Sequence, residues 1–403
     1  MRRRTLVVGL GAVGSYGAGR AALAAALAAG TPTVRDVDRA AGFHAPGGAR
    51  TAALVDPATL APLVPPAAAR RMSAPSRFAV AAGKLAAAEA GWGPEPLGAR
   101  TGCVLATAYG PNVFTERLLR QILFEGPESA SPYLFTECVA NAAAAQLAIA
   151  LKARGPNVTL TQREVGPLSA AARAAALVGD GRLDAALVGA AEEASPFLHA
   201  VLDRFRALAR PAAGGPEAPR PFDRRRDGFL LAEGALVLAV AAEGSAAAAE
   251  AGPLAVLRGG GGAFDPTASS YGFGRGAASL ARKLAADLER MGIGMDDIDL
   301  IVAGASGARA GDRLIAATLG AAWGGRPLPP VAAPKGIVGE YAGGLLGAAA
   351  LAAAGAPIAR PAGFGEPDPG LGVVPAAASG ARRVLALDVA AGGAAAWLVA
   401  ERP

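Results

Sequence analysis

Cysteine and histidine are nearly absent from this chain, which has only two of each among its 403 residues. Cys103 and Cys138 offer no disulfide framework and are typical of a reducing compartment, so we expect a cytoplasmic protein. His44 lies in a Gly/Pro-rich loop, and His199 lies in an apolar segment where a packed or surface role is expected. We expect neither a metal nor a cofactor.

Aromatic residues make up 5% of the chain and charged residues 18%, whereas 52% of the residues are hydrophobic. This composition provides a large buried core, yet no apolar run is long and uninterrupted enough to predict a membrane span. The net charge of +6 comes from scattered arginines that are densest at 220–226. Because aromatics are few and no nucleic-acid motif is present, we expect neither nucleic acid nor a membrane as a partner.

Short β-branched runs alternate with Ala/Leu-rich stretches along the whole chain, a pattern that indicates an α/β fold with buried sheets. The predicted strands are 5–8, 102–106, 157–161, 185–188, 235–241, 254–258, 300–303 and 384–389, and the predicted long helices include 73–90, 141–153, 168–179 and 276–291. A small-residue linker at 242–252 separates two alternating series. The chain is therefore predicted to have two halves, 1–245 and 246–403.

A glycine motif near the N-terminus suggests a dinucleotide-binding site. Gly9, Gly11 and Gly14 fit G-x-G-x-x-G after a strand, and Asp36 follows at the distance of a ribose-binding acid. However, the helix behind the glycines leads to a Gly/Pro-rich stretch at 42–48, not to a second strand that ends in the acid. We therefore interpret the glycines as a tight turn after the first strand.

The most specific segment is 220–235, which reads RPFDRRRDGFLLAEGA. It resembles the RPFD-x-x-RDGF-x-x-GEGA signature of β-ketoacyl synthases, with Ala232 as its one small departure. Further segments agree in chain order, namely 6–13, 70–73, 139–142, 153–157 and 335–339. The resemblance implies a thiolase-like fold, in which two duplicated αβαβα halves form a five-layered core.

The positions that perform condensation in this family are replaced. Counting from the GPN turn at 155–157, Glu164 stands where the family has its nucleophilic Cys. Gly304 stands in the place of the first His, in a register supported by Asp312, and Glu340 stands in the place of the second. Lys335 of the K-x-x-x-G-H segment is kept. Neither histidine of the chain matches a catalytic position, so the resemblance implies no residue competent for condensation.

The glycine-rich loop near the C-terminus also departs from the family pattern G-F-G-G-T-N. Gly392 and Gly393 are kept, but Ala391 stands where Phe is usual. The aromatic gate of the family is therefore predicted to be missing here.

The chain keeps the scaffold motifs of the family but lacks its catalytic residues. In this respect it resembles the chain-length factors of type II polyketide and aryl-polyene systems. This implies a non-catalytic subunit that pairs with an active ketosynthase in polyketide, polyene or fatty-acid-type biosynthesis and meets an acyl carrier protein. One alternative is a repurposed enzyme that uses Glu164 and Glu340 on an acyl or carrier-bound substrate. Another is a homodimeric protein that binds an acyl chain or an acyl carrier protein, for which surface arginines would suit an acidic carrier.

Overall fold

The structure is a computed structural model that describes residues 2–39, 47–93, 97–211, 217–249 and 252–403. Within these residues the strands are β1 Thr5–Gly14, β2 Gly17–Ala18, β3 Arg35–Asp36, β4 Thr51–Ala52, β5 Thr101–Ala106, β6 Asn157–Leu160, β7 Ala185–Glu192, β8 Gly234–Ala242, β9 Ala255–Phe264, β10 Leu300–Ala303, β11 Val331–Ala332, β12 Arg383–Val389 and β13 Ala394–Glu401. The helices are α1 Arg20–Ala29, α2 Pro57–Leu60, α3 Pro66–Ala69, α4 Ala74–Glu89, α5 Asn112–Phe124, α6 Pro132–Glu137, α7 Ala142–Leu151, α8 Gly166–Gly179, α9 Pro196–Arg204, α10 Ala277–Arg290, α11 Arg309–Trp323, α12 Lys335–Val338 and α13 Gly344–Ala353.

The strands repeat one topology twice. The first five-stranded sheet has the order β6-β5-β7-β8-β1, and the second has the order β11-β10-β12-β13-β9. In each sheet the first three strands are parallel, and the fourth runs antiparallel to both of its neighbours. Hydrogen bonds between β1 and β9 join the two sheets. The thiolase-like duplication is therefore present, whereas the exact division at residue 245 stays a prediction.

Helices fill the space between the sheets and cover their outer faces. Helices α8 and α13 contact each other and strands of both sheets, so they form the middle layer. Helices α4 and α7 lie on the first sheet, and α10 and α11 lie on the second. All ten residues of α13 are buried, which explains its continuous run of Ala, Gly and Leu. The result is five layers with separate apolar clusters between them.

The interpretation of the N-terminal glycines as a turn is wrong, because β1 continues through them to Gly14. A Cβ atom on Gly9 would lie 2.2 Å from the carbonyl oxygen of Ala86, and one on Gly11 would lie 1.8 Å from that of Ala82. The glycines are thus needed for close approach of α4 to the strand. Asp36 lies on the exposed two-stranded ribbon of β3 and β4, which forms a sheet separate from the one that contains these glycines.

The other predicted elements fit the structure with shifted ends. Each of the eight predicted strands overlaps an observed strand, and α1 and the four predicted long helices are present. Strand β13, which follows the C-terminal glycine loop directly, was not predicted, and neither were the two-residue strands β2, β3, β4 and β11. In the part of the chain that the structure describes, no helix combines the length and apolarity needed to cross a bilayer.

Candidate functional site

Glu164 lies in a short 3-10 turn between the end of β6 and the start of α8. The preceding residue, Arg163, has a φ of 45°, in the left-handed region that a side chain other than glycine seldom adopts. Such strain is held in place by surrounding structure and is concentrated at functional sites. Oε2 of Glu164 is buried and has no hydrogen-bond partner within the protein.

Lys335 lies at the start of α12, fully enclosed between two carboxylates. Its Nζ atom is 2.5 Å from Oε1 of Glu340 and 2.7 Å from Oδ2 of Asp388, and all three side chains are buried. Burial alone would lower the pKa of Lys335, but the two carboxylates outweigh it and raise that pKa above its ordinary value. The ammonium group therefore stays charged and is fully engaged.

Gly304 follows β10 and directly faces this cluster. A Cβ atom built on Gly304 would lie 1.9 Å from Oδ1 of Asp388 and 2.3 Å from its Cγ. Asp388 thus occupies the volume that any side chain at residue 304 would require.

The hydroxyl groups of two tyrosines form a chain of hydrogen bonds that ends at Glu164. The hydroxyl groups of Tyr109 and Tyr341 are 3.0 Å apart, and the hydroxyl of Tyr341 donates to Oε1 of Glu164 at 3.4 Å. The ring of Tyr341 also packs edge-on against Phe229, with the ring centres 5.8 Å apart. Tyr341 and the next residue, Ala342, both have positive φ values, of 72° and 50°. Their strained backbone is thus part of what directs the tyrosine toward Glu164.

A second buried carboxylate holds Tyr109 in place. Glu192, the last residue of β7, accepts hydrogen bonds from the backbone N–H groups of Ala108, Tyr109 and Gly110 and from the hydroxyl of Thr107. These residues follow β5, so a single side chain closes the turn at the end of that strand. Burial raises the pKa of Glu192 to about 7, although its backbone donors oppose the rise.

The signature segment 220–235, which lies in the same half of the chain as Glu164, frames another side of the site. Asp312 accepts hydrogen bonds from the backbone N–H groups of Phe222, Ser306 and Gly307, and so ties this segment to the loop that begins at Gly304. Arg226 of the segment forms an ion pair with Asp368, which lies outside it, at 2.6 Å. Residues 227–229 of the segment border the site directly.

A cavity of about 490 Å³ opens beside these groups. Glu164, Glu340, Tyr109 and Tyr341 form its polar end, and Ala391 lines it where the family pattern predicts a bulkier Phe. The rest is lined by apolar side chains and by the charged Arg163, Arg206, Asp227 and Arg309; the apolar ones include Leu198, Phe205, Phe229, Tyr271 and Phe273. Among the described lining residues there is neither cysteine nor histidine.

Burial raises the pKa of Glu164 to about 7, and the negative charge of Glu340 adds to the effect, while Lys335 and Arg163 oppose it. A carboxyl group that titrates near neutrality can act as a hydrogen-bond donor, a general acid or a general base. A carboxyl group cannot, however, carry an acyl chain as a thioester in the way that a cysteine does.

The structure thus brings Glu164, Glu340, Lys335 and Gly304 into one region. His199 lies elsewhere, buried, with its Nε2 atom 3.1 Å from the carbonyl oxygen of Thr51. Cys103 is buried in β5, and burial raises the pKa of its thiol to about 12. His44 lies outside the described residues. In the described residues, no three His, Cys, Asp or Glu side chains are arranged to bind a metal ion.

Sequence reasoning missed Asp388, Tyr109, Tyr341 and Glu192. Tyr341 directly follows Glu340, which was recognised from the K-x-x-x-G-H segment. Asp388 lies three residues before Ala391, close to the recognised glycine-rich loop. Tyr109 and Glu192 carried only a weak signal, which is their position at the ends of two neighbouring parallel strands.

Comparison with known proteins identifies this arrangement as a thiolase-like ketosynthase fold. Residues 2–246 match the domain family described as Beta-ketoacyl synthase, N-terminal domain, and the chain belongs to that family. It is 30% identical to the tetracenomycin polyketide synthase ketoacyl synthase beta subunit of Streptomyces glaucescens, over 74% of this chain and 73% of that protein. It is 28% identical to the alpha subunit of the same synthase, over 91% of this chain and 88% of that protein.

Among solved structures, the chain resembles the ishigamide ketosynthase/chain length factor with a TM-score of 0.87 and 28% identity, covering 100% of both chains. The whole length of the chain is therefore accounted for by one ketosynthase-like unit.

Proposed function

We propose that this protein is a cytoplasmic, chain-length-factor-type subunit that pairs with an active ketosynthase and performs no condensation itself. The observation that carries the proposal is the Glu164 cavity, whose described lining contains no thiol and no imidazole. Glu164, Gly304 and Glu340 are proposed to occupy the places of the family's Cys and two His. Without nucleophile, base and oxyanion donors together, the scaffold has no route to a carbon–carbon bond.

The need for a partner is supported by an exposed apolar surface on α5 and α6. Leu123, Phe124 and Phe135 are 74%, 77% and 62% exposed. A contiguous exposure of large apolar side chains marks an interaction surface in a soluble protein.

Strand β6 adds a second indication. It pairs with β5 along one edge only, and no other described strand covers its free edge. An open strand edge with unpaired backbone groups favours pairing with another chain.

The relatives supply the kind of partner. The tetracenomycin synthase has alpha and beta ketoacyl synthase subunits, and the ishigamide protein is described as a ketosynthase/chain length factor. By this likeness the partner would be a ketosynthase of a polyketide, polyene or fatty-acid-type system. An acyl carrier protein would be a further partner, and the exposed Arg206 and Arg309 at the cavity mouth suit its acidic surface.

The test is co-expression with an intact ketosynthase from the same biosynthetic locus. We expect the two chains to purify as a heterodimer that elongates an acyl thioester, whereas this chain alone does not. Phe135→Asp should abolish co-purification, and Val374→Asp, at another exposed apolar residue, should not. Elongation by this chain alone, or a homodimer that excludes the ketosynthase, would contradict the proposal.

The open cavity favours a second candidate, a repurposed acid–base enzyme acting on an acyl or carrier-bound substrate. Glu164 lines it, the buried Oε2 atom of Glu164 has no hydrogen-bond partner, and the aromatic residue that the family places at Ala391 is missing. This candidate predicts turnover of a carrier-bound acyl thioester by the isolated chain that Glu164→Gln abolishes. Absence of any product or proton exchange in the wild-type chain would exclude it.

A further inference from the structure

A second cleft, of about 440 Å³, lies where the first turns of three helices meet, and it shares no lining residue with the Glu164 cavity. Ala74 opens α4, Val113 lies in the first turn of α5, and Pro196 opens α9. Because the N-terminus of a helix carries partial positive charge, the space between these turns favours a negatively charged group.

Three arginines line this cleft without a carboxylate partner. Arg77 lies on α4 and is half-buried, whereas Arg117 on α5 and Arg70 directly after α3 are exposed at the rim. Among the described residues, no carboxylate lies within ion-pair distance of their guanidinium groups, and none of the three side chains donates a hydrogen bond. Arg117 contacts only the ring of Phe114 through its charge, at 5.9 Å from the ring centre. Their donors are therefore available to a ligand.

The cleft at the end of α8 shows that this is not the rule for arginines in this chain. It is lined by Arg2, Arg3, Arg258 and Arg290, and each of these forms an ion pair with an acidic side chain. Paired arginines have little to offer an anion, so the unpaired set around Arg77 is the better candidate.

Two glutamates also line the Arg77 cleft, but both are bonded to backbone groups. Glu193 accepts a hydrogen bond from the N–H of Val113 at 2.7 Å, and Glu233 accepts two, one of them from the N–H of Ala194 at 3.2 Å. Burial raises the pKa of both carboxyl groups, to about 7 for Glu193, although Arg77 opposes the rise. Near neutral pH part of their negative charge is thus lost, and the three arginines leave a positive surplus.

The shape of the cleft calls for more than a bare ion. Leu60, Phe78 and Phe114 contribute apolar walls, and an inorganic ion would fill only a small part of the volume. A pocket of this kind binds a ligand whose apolar part packs against the walls while a few polar groups orient it. Three guanidinium groups without acceptors suit a phosphate, which has three terminal oxygens and two charges, better than a carboxylate.

We propose that this cleft binds a small organic phosphate, whose phosphate group accepts hydrogen bonds from Arg77, Arg117 and Arg70 and whose apolar part packs against Phe78 and Phe114. Because Arg77 is recessed, a small ligand that enters the cleft reaches it more readily than a folded protein surface does. The site lies outside the Glu164 cavity and goes beyond the proposed pairing with a ketosynthase.

The test is calorimetry on the full-length chain with benzyl phosphate as the probe, in a buffer free of phosphate and sulfate. Benzyl alcohol is its uncharged counterpart, and phenylacetate carries a single charge on a carboxylate. We expect benzyl phosphate to bind at least about tenfold more tightly than either, since the other two lose charge-assisted hydrogen bonds to the arginines.

Three variants separate recognition by these arginines from a general effect of charge. Arg77→Gln should weaken binding of benzyl phosphate about tenfold or more, and Arg117→Gln about threefold to tenfold. Arg120→Gln removes the same charge from α5 outside the cleft and should leave the affinity unchanged. Since Arg117 is exposed, its variant carries the test if Arg77→Gln does not fold.

The proposal is overturned if benzyl phosphate does not bind, or if benzyl alcohol or phenylacetate binds as tightly. It is also overturned if the folded Arg77 and Arg117 variants bind like the wild type, or if Arg120→Gln weakens binding as much as Arg117→Gln does. None of these results depends on the partner subunit, so they are distinguishable from a failure to pair.

Discussion

The carboxylate of Asp388 fills the space that a side chain on Gly304 would need. Its Oδ1 atom lies 1.9 Å from the position of a Cβ atom on Gly304, and its Oδ2 atom lies 2.7 Å from Nζ of Lys335. The glycine and the aspartate are therefore a matched pair. An imidazole could not be restored at residue 304 without displacing the buried Lys335 cluster.

Gly304→Ala should lower the free energy of unfolding by about 1–3 kcal/mol, because the added methyl group overlaps Asp388 inside a closely packed region. The measurement is urea denaturation. Gly320→Ala is the matched control, since it lies on the exposed side of α11 with no atom within 4 Å of its Cβ position. There the same change should be neutral or stabilising by up to about 1 kcal/mol.

The clash itself can be isolated with Asp388→Ala, which removes the carboxylate. In that background Gly304→Ala should cost less than it does in the wild-type chain, and the difference is the coupling energy of the pair. Equal costs in the two backgrounds would show that the steric relationship does not control residue 304.

Lys335→Met should destabilise the chain by about 3–5 kcal/mol at neutral pH, because it leaves Glu340 and Asp388 buried without a countercharge. The deficit should shrink as the pH falls, since burial raises the pKa of Asp388 well above its ordinary value and its protonation removes one of the two uncompensated charges. Thermal denaturation from pH 7 downward measures both effects. Lys152→Met, at an exposed lysine, should change neither the stability nor its pH dependence.

The fold was largely predictable from the sequence because buried strands and Ala-rich helices alternate in the same order twice. The N-terminal glycines misled because Gly9 and Gly11 have no local turn role. They allow α4 to approach β1, a tertiary requirement that a local pattern does not contain. Strand β13 was missed because its Ala-rich start follows the glycine loop without a β-branched signal.

The site was only partly predictable. Glu164, Gly304, Glu340 and Lys335 were found by counting from motifs, but the counting gives no distances. It placed Glu164 and Glu340 together without revealing that Lys335 is shared by Glu340 and Asp388. Asp388 could not be recognised as important because its role depends on a side chain being absent at Gly304, which follows a different strand, β10.

The stability of the chain should depend on the protonation of Glu164. Its pKa rises from an ordinary carboxyl value to about 7 on folding, so its stabilising contribution is complete at acidic pH and is lost as the pH rises through about 7. Glu164→Gln should therefore have a flatter dependence of melting temperature on pH between about 4.5 and 7. Glu192 keeps its own contribution in both proteins, so the difference between the two curves reports Glu164. Identical slopes would contradict this assignment.

Glu192 should control the position of Tyr109. Glu192→Ala would leave the N–H groups of Ala108, Tyr109 and Gly110 without their acceptor and should cost about 2–5 kcal/mol, because each buried unpaired donor carries its own penalty. Hydrogen exchange of these three amides should accelerate, whereas the exposed Glu125→Ala should leave their exchange unchanged. Unchanged exchange at these amides would mean that packing alone fixes the turn, and the chain from Glu192 to the cavity would then have no energetic basis.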